Sequence, residues 1–584
     1  MKYPLTLHHL LWRMEHVNAE AEVVTASGVG DNLRLERQTY AESVTRIRRL
    51  MAGLARYGIG PGDTVATLAW NSVEHFEALL AVPALGATLN NINLRLQADA
   101  LDTLTGDPTP SLLIIDAELL GDNALAKTAS RAVRRFAAAG TPVAVIGDSG
   151  GDVDFDCIGY DDLLAADPAP LLDGAVGEDD IAFLFHSGGT TGPPKTYEVT
   201  HRTALLHALS QATVDATGLS RADRVLPLAP FFHVNGWGLP LTSALTGCSL
   251  VLPGRDMSAR RLARIIRDER VSVAAGVPTI WHDICAAVTA DRDLRPRELR
   301  EVLSGGSPVP LSIVNAVLSV LGASVGTAWG MTETMACSTY ERTAPQDSAG
   351  RPIPLMELRV VDTVGNDVSG DDSALGRLDV RGPLVIAEPT DPDSAWFATG
   401  DVASIDSDGR LTLKDREKDL IKSGGEWIPS AVLEQHLCTH GQVTSAAVVA
   451  ITDPRWMERP VAYVTLRPEN DQPPSPENLR AYLEALVPRW WLPDRIEILS
   501  DLPRTSVGKI DKRTLRVMAR EPNDNSNGEE DGKQHRSGHD LRHRGPDPRR
   551  APGRRRLAED QSREEAQRAL DHADEGAVRG ADEG

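Results

Sequence analysis

The segment Ser187–Lys195, SGGTTGPPK, has the composition of an anion cradle. Gly188, Gly189 and Gly192 let backbone N–H groups turn inward and form a concave nest. Ser187, Thr190 and Thr191 add hydroxyl donors, and Lys195 adds a positive charge. That combination suits a chain of phosphates. It is not a Walker A loop, which needs glycine directly before its Lys-Thr pair; Pro194 stands there. A Gly/Pro-rich surface loop has a similar composition, so the loop takes its meaning from the elements that present it.

An apolar run, IAFLF, feeds the loop and reads as a buried strand. DTVATLAW, SLLIID, VSVAAGV and GRLDVRG are similar runs bounded by Gly, Pro or Asp, and also read as strands. Between them, SVTRIRRLMAGLARYG and ARRLARIIRDERV carry apolar residues at helical spacing. The alternation predicts α/β layers with largely parallel sheets. WFATGDVASIDSDGRLTLKD reads as an antiparallel ribbon turning at Asp408-Gly409. Near Asp415 the pattern restarts with REKDLIKSGGEWIP, a helix, VTSAAVVAITD, RPVAYVTLRP, a second helix and RIEILSDLP. That length suffices for a small α+β domain.

The chain has 584 residues, room for several domains or lobes. Lys and Arg number 61 against 83 Asp and Glu, a net charge of −22. Such acidity argues against a nucleic-acid partner, which needs a basic face, but permits a locally positive anion site. Five widely spaced cysteines without a CxxC pair argue against zinc or dithiol chemistry and suit the cytoplasm. There is no apolar stretch of about 18 residues and no signal-peptide pattern, so no integral membrane segment is expected. From Glu521 to Gly584, 28 of 64 residues are charged and none is aromatic, the composition of a disordered tail.

Seven segments in fixed order extend the first signal. They are the loop itself, PLAPFFHVNGWGLP, LSGGSPVP, GTAWGMTE, WFATGD, DREKDLIKSGGEWIP and LPRTSVGKIDKRTLR. Together they resemble the adenylate-forming superfamily, and within it the AMP-dependent fatty acyl-CoA synthetases of the medium- to long-chain type. The resemblance implies a large N-terminal domain, 1–414, of layered α/β subdomains: parallel sheets plus a small β-barrel-like region. It implies a small mobile α+β C-terminal domain, 415–520, hinged at Asp415, followed by the tail 521–584. ATP, Mg²⁺ and coenzyme A are the implied cosubstrates and metal.

The resemblance also assigns residues. Ser187, Gly188, Gly189, Thr190, Thr191, Gly192 and Lys195 would hold phosphates, with Gly305, Gly306 and Ser307 beside the purine. In GTAWGMTE, Trp329 takes the place of an aromatic that stacks on adenine, with Gly330, Met331 and Thr332 in the nucleotide site. Glu333, with Thr190, would hold Mg²⁺, which needs only one or two carboxylates plus phosphate oxygens and water. Asp401 would accept from both ribose hydroxyls, and Arg416 would be a second nucleotide contact. Lys509 would be the adenylation lysine, bridging two anions that must react. Lys195, Thr190 and Glu333 would complete the catalytic group.

His233, Asn235 and Trp237 would meet the acyl chain, with Gly236 and Gly238 leaving room beside Trp237. His233 stands where amino-acid-activating relatives carry Asp, which disfavours an amino-acid substrate. Lys422, Gly424, Gly425 and Trp427 would line the pantetheine channel, and free CoA is the expected acceptor because no carrier domain follows. A homodimer and peripheral membrane contact are compatible with this reading. An aryl- or short-chain-acid ligase, and a silent nucleotide- or acyl-binding homologue, are the alternatives. The chain departs from the family pattern at His186, Pro193, Thr196, Val432 and Met457, the last where glycine is common. The connection from Pro383 to Trp396 is also short.

Overall fold

The computed structural model describes residues 3–94, 109–120, 124–147, 155–171, 176–186, 195–342, 348–390, 394–467, 473–504 and 510–520. Met1–Pro522 forms one compact unit. The charged segment 521–584 lies outside the described residues.

One sheet has seven strands, in the order Ile158–Gly159, Val143–Ile146, Leu112–Asp116, Thr64–Leu68, Thr88–Asn91, Ile181–His186 and Thr196–Thr200. All neighbours are parallel except the last pair. Its central strands Leu112–Asp116 and Thr64–Leu68 are buried at every position and largely apolar, because both faces are covered. Leu112 and Ile114 enter one hydrophobic core, Leu113 and Ile115 another.

The larger sheet has thirteen strands. Six lie parallel: Glu22–Ser27, Ser249–Leu252, Arg224–Pro227, Val273–Gly276, Glu301–Ser304 and Ser324–Trp329, with Arg34–Thr39 antiparallel at the outer edge beside Glu22–Ser27. Beyond Trp329 it continues antiparallel through Thr339–Arg342, Ser348–Pro352, Leu411–Arg416, Phe397–Ile405, Gly376–Arg381 and Glu357–Val361. This extension is the expected barrel-like region, and its strand path runs open rather than returning on itself.

Helices form where the sequence encodes both a face and a start. Tyr40–Arg56 opens on a capping box, with Thr39 and Glu42 each accepting the other's backbone N–H. It buries Tyr40, Val44, Ile47, Leu50, Met51 and Leu54, and the chain turns away at Gly58, φ +80°. Ala259–Asp268 buries Leu262, Ala263, Ile265 and Ile266 and leaves Arg260, Arg264 and Arg267 on the solvent side.

The chain leaves the larger sheet at Arg416 and enters a third sheet at Ile421. That sheet joins Glu426–Ile428, Ile421–Ser423, Met457–Leu466 and Val443–Asp453, with Arg495–Leu499 parallel to Met457–Leu466. The helices Ser430–Thr439, Pro476–Glu484 and Lys512–Arg520 contribute to its two hydrophobic clusters, around Leu433 and Tyr463.

Met457 has φ +71°, a left-handed conformation that favours glycine, the residue the resemblance leads one to expect there. Its side chain is 61 % exposed and gains little from packing. Met457→Gly therefore relieves about 1 kcal/mol of left-handed strain. Against this stands a somewhat smaller entropic cost in the unfolded chain. The urea midpoint should rise slightly; a clear fall would show that Met457 is held by something other than its backbone.

Four buried histidines set the response to acid. Burial lowers His75, His186, His201 and His207 from the ordinary 6.5 to about 4. Between those values the unfolded chain takes up protons that the folded chain refuses, so stability falls as pH descends from 6.5 toward 4. For the enclosed pair His75 and His207 the loss is about 2 kcal/mol each by pH 5. Asp116 opposes this, because burial raises it to about 7 and the folded state then holds an extra proton. Glu77 and Glu434, also raised by burial, act in the same direction as Asp116, and the four histidines outweigh these carboxyls, so urea unfolding at pH 5 should show lower stability than at pH 7; equal stability would refute the balance.

Candidate active site

Arg224–Pro227, Val273–Gly276, Glu301–Ser304 and Ser324–Trp329 are neighbouring parallel strands, so their carboxyl ends share one edge. Loops beyond such an edge form the crevice where α/β sheets bind ligands. PLAPFFHVNGWGLP, LSGGSPVP and GTAWGMTE leave these strands along the one edge, the last two from neighbouring strands and the first from the far side of Val273–Gly276. A Cβ on Gly305 would stand 2.8 Å from the Ala328 carbonyl, so only glycine lets that loop lie against the next strand. A Cβ on Gly306 would come within 3.8 Å of the Trp237 ring, which places the purine-loop glycine beside the acyl-pocket tryptophan. Ser307 follows, exposed.

Asp401 and Arg416 meet through strand register. Phe397–Ile405 and Leu411–Arg416 pair antiparallel around the expected turn, and an irregularity after Val402 sets Asp401 opposite Arg416. Arg416 Nε lies 2.7 Å from Asp401 Oδ1. The Trp329 indole donates to Oδ2 at 3.2 Å. Asp401 is 5 % exposed, so a buried charge is held by two donors. Trp329 is 7 % exposed and packed in a core cluster with Leu303 and Tyr340. Its observed role is therefore to anchor the carboxylate.

Glu333 sits in the short turn Thr332–Thr334, directly beyond Gly330 and Met331. The turn is tight: a Cβ on Gly330 would meet the Ala336 carbonyl at 2.0 Å. Tyr197 donates its hydroxyl to Glu333 Oε1 at 2.8 Å. Burial and then Glu333 push the Tyr197 phenol well up, so it remains a donor. Tyr197 escaped the sequence reading, although it stands two residues after Lys195. It ties the edge strand of the smaller sheet to the metal-site candidate of the larger one.

Residues 187–194 lie outside the described residues, and with them Ser187, Gly188, Gly189, Thr190, Thr191 and Gly192. The flanks are clear. His186 pairs with Thr196 across an antiparallel hairpin, so the loop closes between two adjacent strands, and Lys195 is exposed at its exit. His186 is neutral at pH 7; Nε2 reaches Asn90 Oδ1 at 2.8 Å and Nδ1 reaches Thr196 Oγ1 at 3.2 Å. The departures at 186 and 196 thus bond to each other.

The acyl-pocket motif folds in an unusual way. Val234, Asn235, Gly236, Trp237 and Gly238 all have positive φ, from 37° to 75°, a single turn of left-handed helix. Each non-glycine residue there costs of order 1–3 kcal/mol, and the surroundings must overcome that cost. Gln211 donates to the Trp237 carbonyl at 2.8 Å and accepts from Thr242. Asn71, beyond the strand Thr64–Leu68, holds the preceding loop through Pro227, Ala229 and Phe231. The space expected beside the two glycines is filled: a Cβ on Gly238 would strike His207 at 2.3 Å, and one on Gly236 would press on Ala229 and Phe231 at 3.0 Å. These glycines serve backbone conformation. His233 is half-buried against Phe232, and Asn235 is 1 % exposed with neither amide atom hydrogen-bonded.

Gln211→Leu removes the clamp on Trp237 and leaves a carbonyl and a hydroxyl without their partner. A loss of about 1–3 kcal/mol is expected, with a changed preference along a panel of acids of increasing length. The KM for ATP should stay constant. An unchanged acid preference would show that the turn holds without Gln211.

Asp415 organises the start of the third sheet's region. Oδ1 accepts from Arg416 N; Oδ2 accepts from Ser430 N at 2.5 Å, Ser430 Oγ at 2.8 Å and Ala431 N at 3.3 Å, capping the helix Ser430–Thr439. Lys512 donates to Ser430 Oγ at 2.8 Å and pairs with Glu434 at 2.7 Å. Burial disfavours the Lys512 charge, but Glu434, Asp415 and Asp419 outweigh it and hold the lysine above its usual range. Lys509 lies outside the described residues; Arg504 and Ile510 pair across the segment that carries it.

In KSGGEW the glycines form a hairpin turn, φ +63° and +90°, that sets Lys422 opposite Trp427. Lys422 Nζ lies 4.8 Å from the Trp427 ring, which is 43 % exposed. A Cβ on Gly424 would touch Trp456 at 2.9 Å. Trp396, by contrast, is covered by the guanidinium groups of Arg359 and Arg381 at 4.4 and 4.5 Å. Among the described residues no helix is long and apolar enough to cross a membrane.

A layered α/β body whose nucleotide-type motifs share one sheet edge, joined to a small α+β unit, is the architecture of an adenylate-forming ligase. The chain belongs to the AMP-binding enzyme family, whose pattern matches residues 16–388, with the AMP-binding enzyme C-terminal domain matching 432–509. It is 37 % identical over 540 residues to a long-chain-fatty-acid–CoA ligase of Thermus thermophilus, covering 88 % of this chain and 96 % of that one. It is 33 % identical over 536 residues to a medium-chain-fatty-acid–CoA ligase of Ectopseudomonas oleovorans, with the same coverage, 88 % and 96 %. Among solved structures, an anthranilate CoA ligase bound to anthranoyl-AMP superimposes with a TM-score of 0.76 at 25 % identity, over 89 % of this chain and 98 % of that one.

Proposed function

We propose that the protein is an AMP-forming fatty acyl-CoA synthetase: it activates a medium- or long-chain acid with ATP to acyl-AMP and pyrophosphate, then transfers the acyl group to CoA. The observation that carries this reading is the buried Asp401, held by Arg416 and Trp329, in a chain similar along nearly its whole length to fatty-acid–CoA ligases.

Asp401 accepts from Arg416 and Trp329, and a carboxylate oxygen has more than one acceptor site, so the pair of oxygens suits the two ribose hydroxyls. Glu333 fits Mg²⁺, because a single carboxylate suffices when phosphates and water supply the other ligands. With Thr190 it would hold the ion, which neutralises phosphate charge when bound. Tyr197 fixes the orientation of that carboxylate. The loop Ser187–Lys195 grips the phosphates that leave. Gly305, Gly306, Ser307, Gly330, Met331 and Thr332 border the base and sugar. Lys509 bridges the attacking carboxylate and the α-phosphate, and so lowers repulsion between two anions.

His233, Asn235 and Trp237 meet the acid, whose carbonyl carbon is then attacked by the CoA thiol as AMP departs. Lys422, Gly424, Gly425 and Trp427 guide the pantetheine arm. Residues 1–414 form the adenylating body and 415–520 a domain that turns about Asp415 between the two half-reactions. The exit of the chain from one sheet at Arg416 and its entry into the next at Ile421 support that boundary. We place the enzyme in the cytoplasm, where its unpaired cysteines stay reduced.

Incubation with a series of fatty acids, ATP, Mg²⁺ and CoA, read by mass spectrometry, should yield AMP and acyl-CoA. ADP as the product, or no acyl-CoA from any acid, would overturn the reading.

A further inference from the structure

Between Arg260 and Arg300 the chain carries nine arginines and no lysine, within a protein of net charge −22. The fold gathers several of them. Arg267 and Arg270 end the stretch before the strand Val273–Gly276, and Arg292, Arg295 and Arg297 precede the strand Glu301–Ser304. These strands are parallel neighbours, so both groups lie at their amino ends, opposite the edge that carries the nucleotide motifs. There they line a groove of about 610 Å³. An adjoining groove of about 300 Å³ shares Arg267 and adds Arg260, Arg261 and Arg264.

Arginines elsewhere on this edge are neutralised. Arg224 pairs with Glu22 and Glu269, Arg300 with Asp223 and Glu301, and Arg342 with Glu301. In the groove, Arg267 bonds Asp268 and Arg270 pairs with Glu298 at 3.2 Å. Among the described residues, Arg292, Arg295 and Arg297 have no carboxylate partner. Asp293 and Glu298 also face the groove, against its five arginines, so the lining is positive overall. The guanidinium fork suits phosphate oxygens better than a lysine does. Apart from Pro296 the lining is wholly charged, with no aromatic to stack a base and no aliphatic side chain to enter a bilayer.

We propose that this groove is a second anion site, remote from the reaction centre, that takes a compact oligophosphate through Arg292, Arg295 and Arg297. It goes beyond the activity proposed above, which enters only through the binding event expected at the catalytic cleft. The probe is inorganic tripolyphosphate, titrated calorimetrically into the full-length protein at low salt. Because the catalytic cleft also grips phosphates, wild type should show two binding events. The variant R292Q/R295Q/R297Q should lose one of them, weakening at least tenfold. R292K/R295K/R297K, which keeps the charge but not the fork, should fall between. Matching circular dichroism spectra check that the exposed substitutions leave the fold intact. Indistinguishable isotherms for wild type and the Gln variant would overturn the proposal. So would arginine-dependent binding to phosphatidylglycerol vesicles without binding to tripolyphosphate, which would make this face a membrane contact.

Discussion

Lys509→Ala should abolish acyl-adenylate formation, by roughly 10²–10⁴-fold, while the second half-reaction survives. The reason is electrostatic. A carboxylate must approach an α-phosphate that is itself anionic, and the body of the enzyme is acidic outside its site. In the proposed mechanism Lys509 is the bridging cation, and its removal exposes that repulsion. Thiolysis of supplied acyl-AMP has no such encounter, because the electrophile is already activated. Pyrophosphate exchange reads the first step and CoA consumption with synthetic acyl-AMP reads the second. Equal loss of both would show that Lys509 supports the fold and not the adenylation chemistry.

Lys512→Met should have the largest effect on stability. The ammonium is largely enclosed between Ser430 and Glu434, and its removal leaves the half-buried Glu434 carboxylate with the Val448 N–H as its remaining protein donor. Breaking one side of a fully buried pair costs about 3–5 kcal/mol, and this partly exposed pair should lose somewhat less, whereas replacing both sides by apolar groups is often near neutral. The double variant Lys512→Met/Glu434→Leu should therefore recover most of the loss in urea unfolding. If the double variant is as unstable as the single one, the pair is not what holds Lys512–Arg520 to the sheet. The same network reaches Asp415 through Ser430. The single variant should thus also alter the ratio of the two half-reaction rates, and the double variant should not restore it fully.

Much of this was legible in the chain. Central strands such as Leu112–Asp116 declare themselves because a strand covered on both faces is a nearly continuous apolar run. The ribbon turning at Asp408-Gly409 was legible because few residues other than glycine accept φ +77° there. The glycines of KSGGEW and the glycine preference at position 457 have the same cause, since a positive φ leaves a local mark. Tyr197, Gln211 and Asn71 left no such mark. Each acts on a partner more than twenty residues away, through a contact that exists only after sheets and loops have been placed.

The sequence by itself determined the order of motifs, the residue types that can hold phosphate, ribose and a cation, and the switch of pattern near Asp415. These are local properties of backbone freedom, charge and periodicity. Tertiary structure alone decided that Trp329 anchors Asp401, that the glycines flanking Trp237 serve a left-handed turn, and that five arginines from two stretches of the chain line one groove at the edge opposite the nucleotide motifs. Those outcomes depend on strand order and register, which bring distant residues within a few ångströms of each other and which no short window of sequence contains.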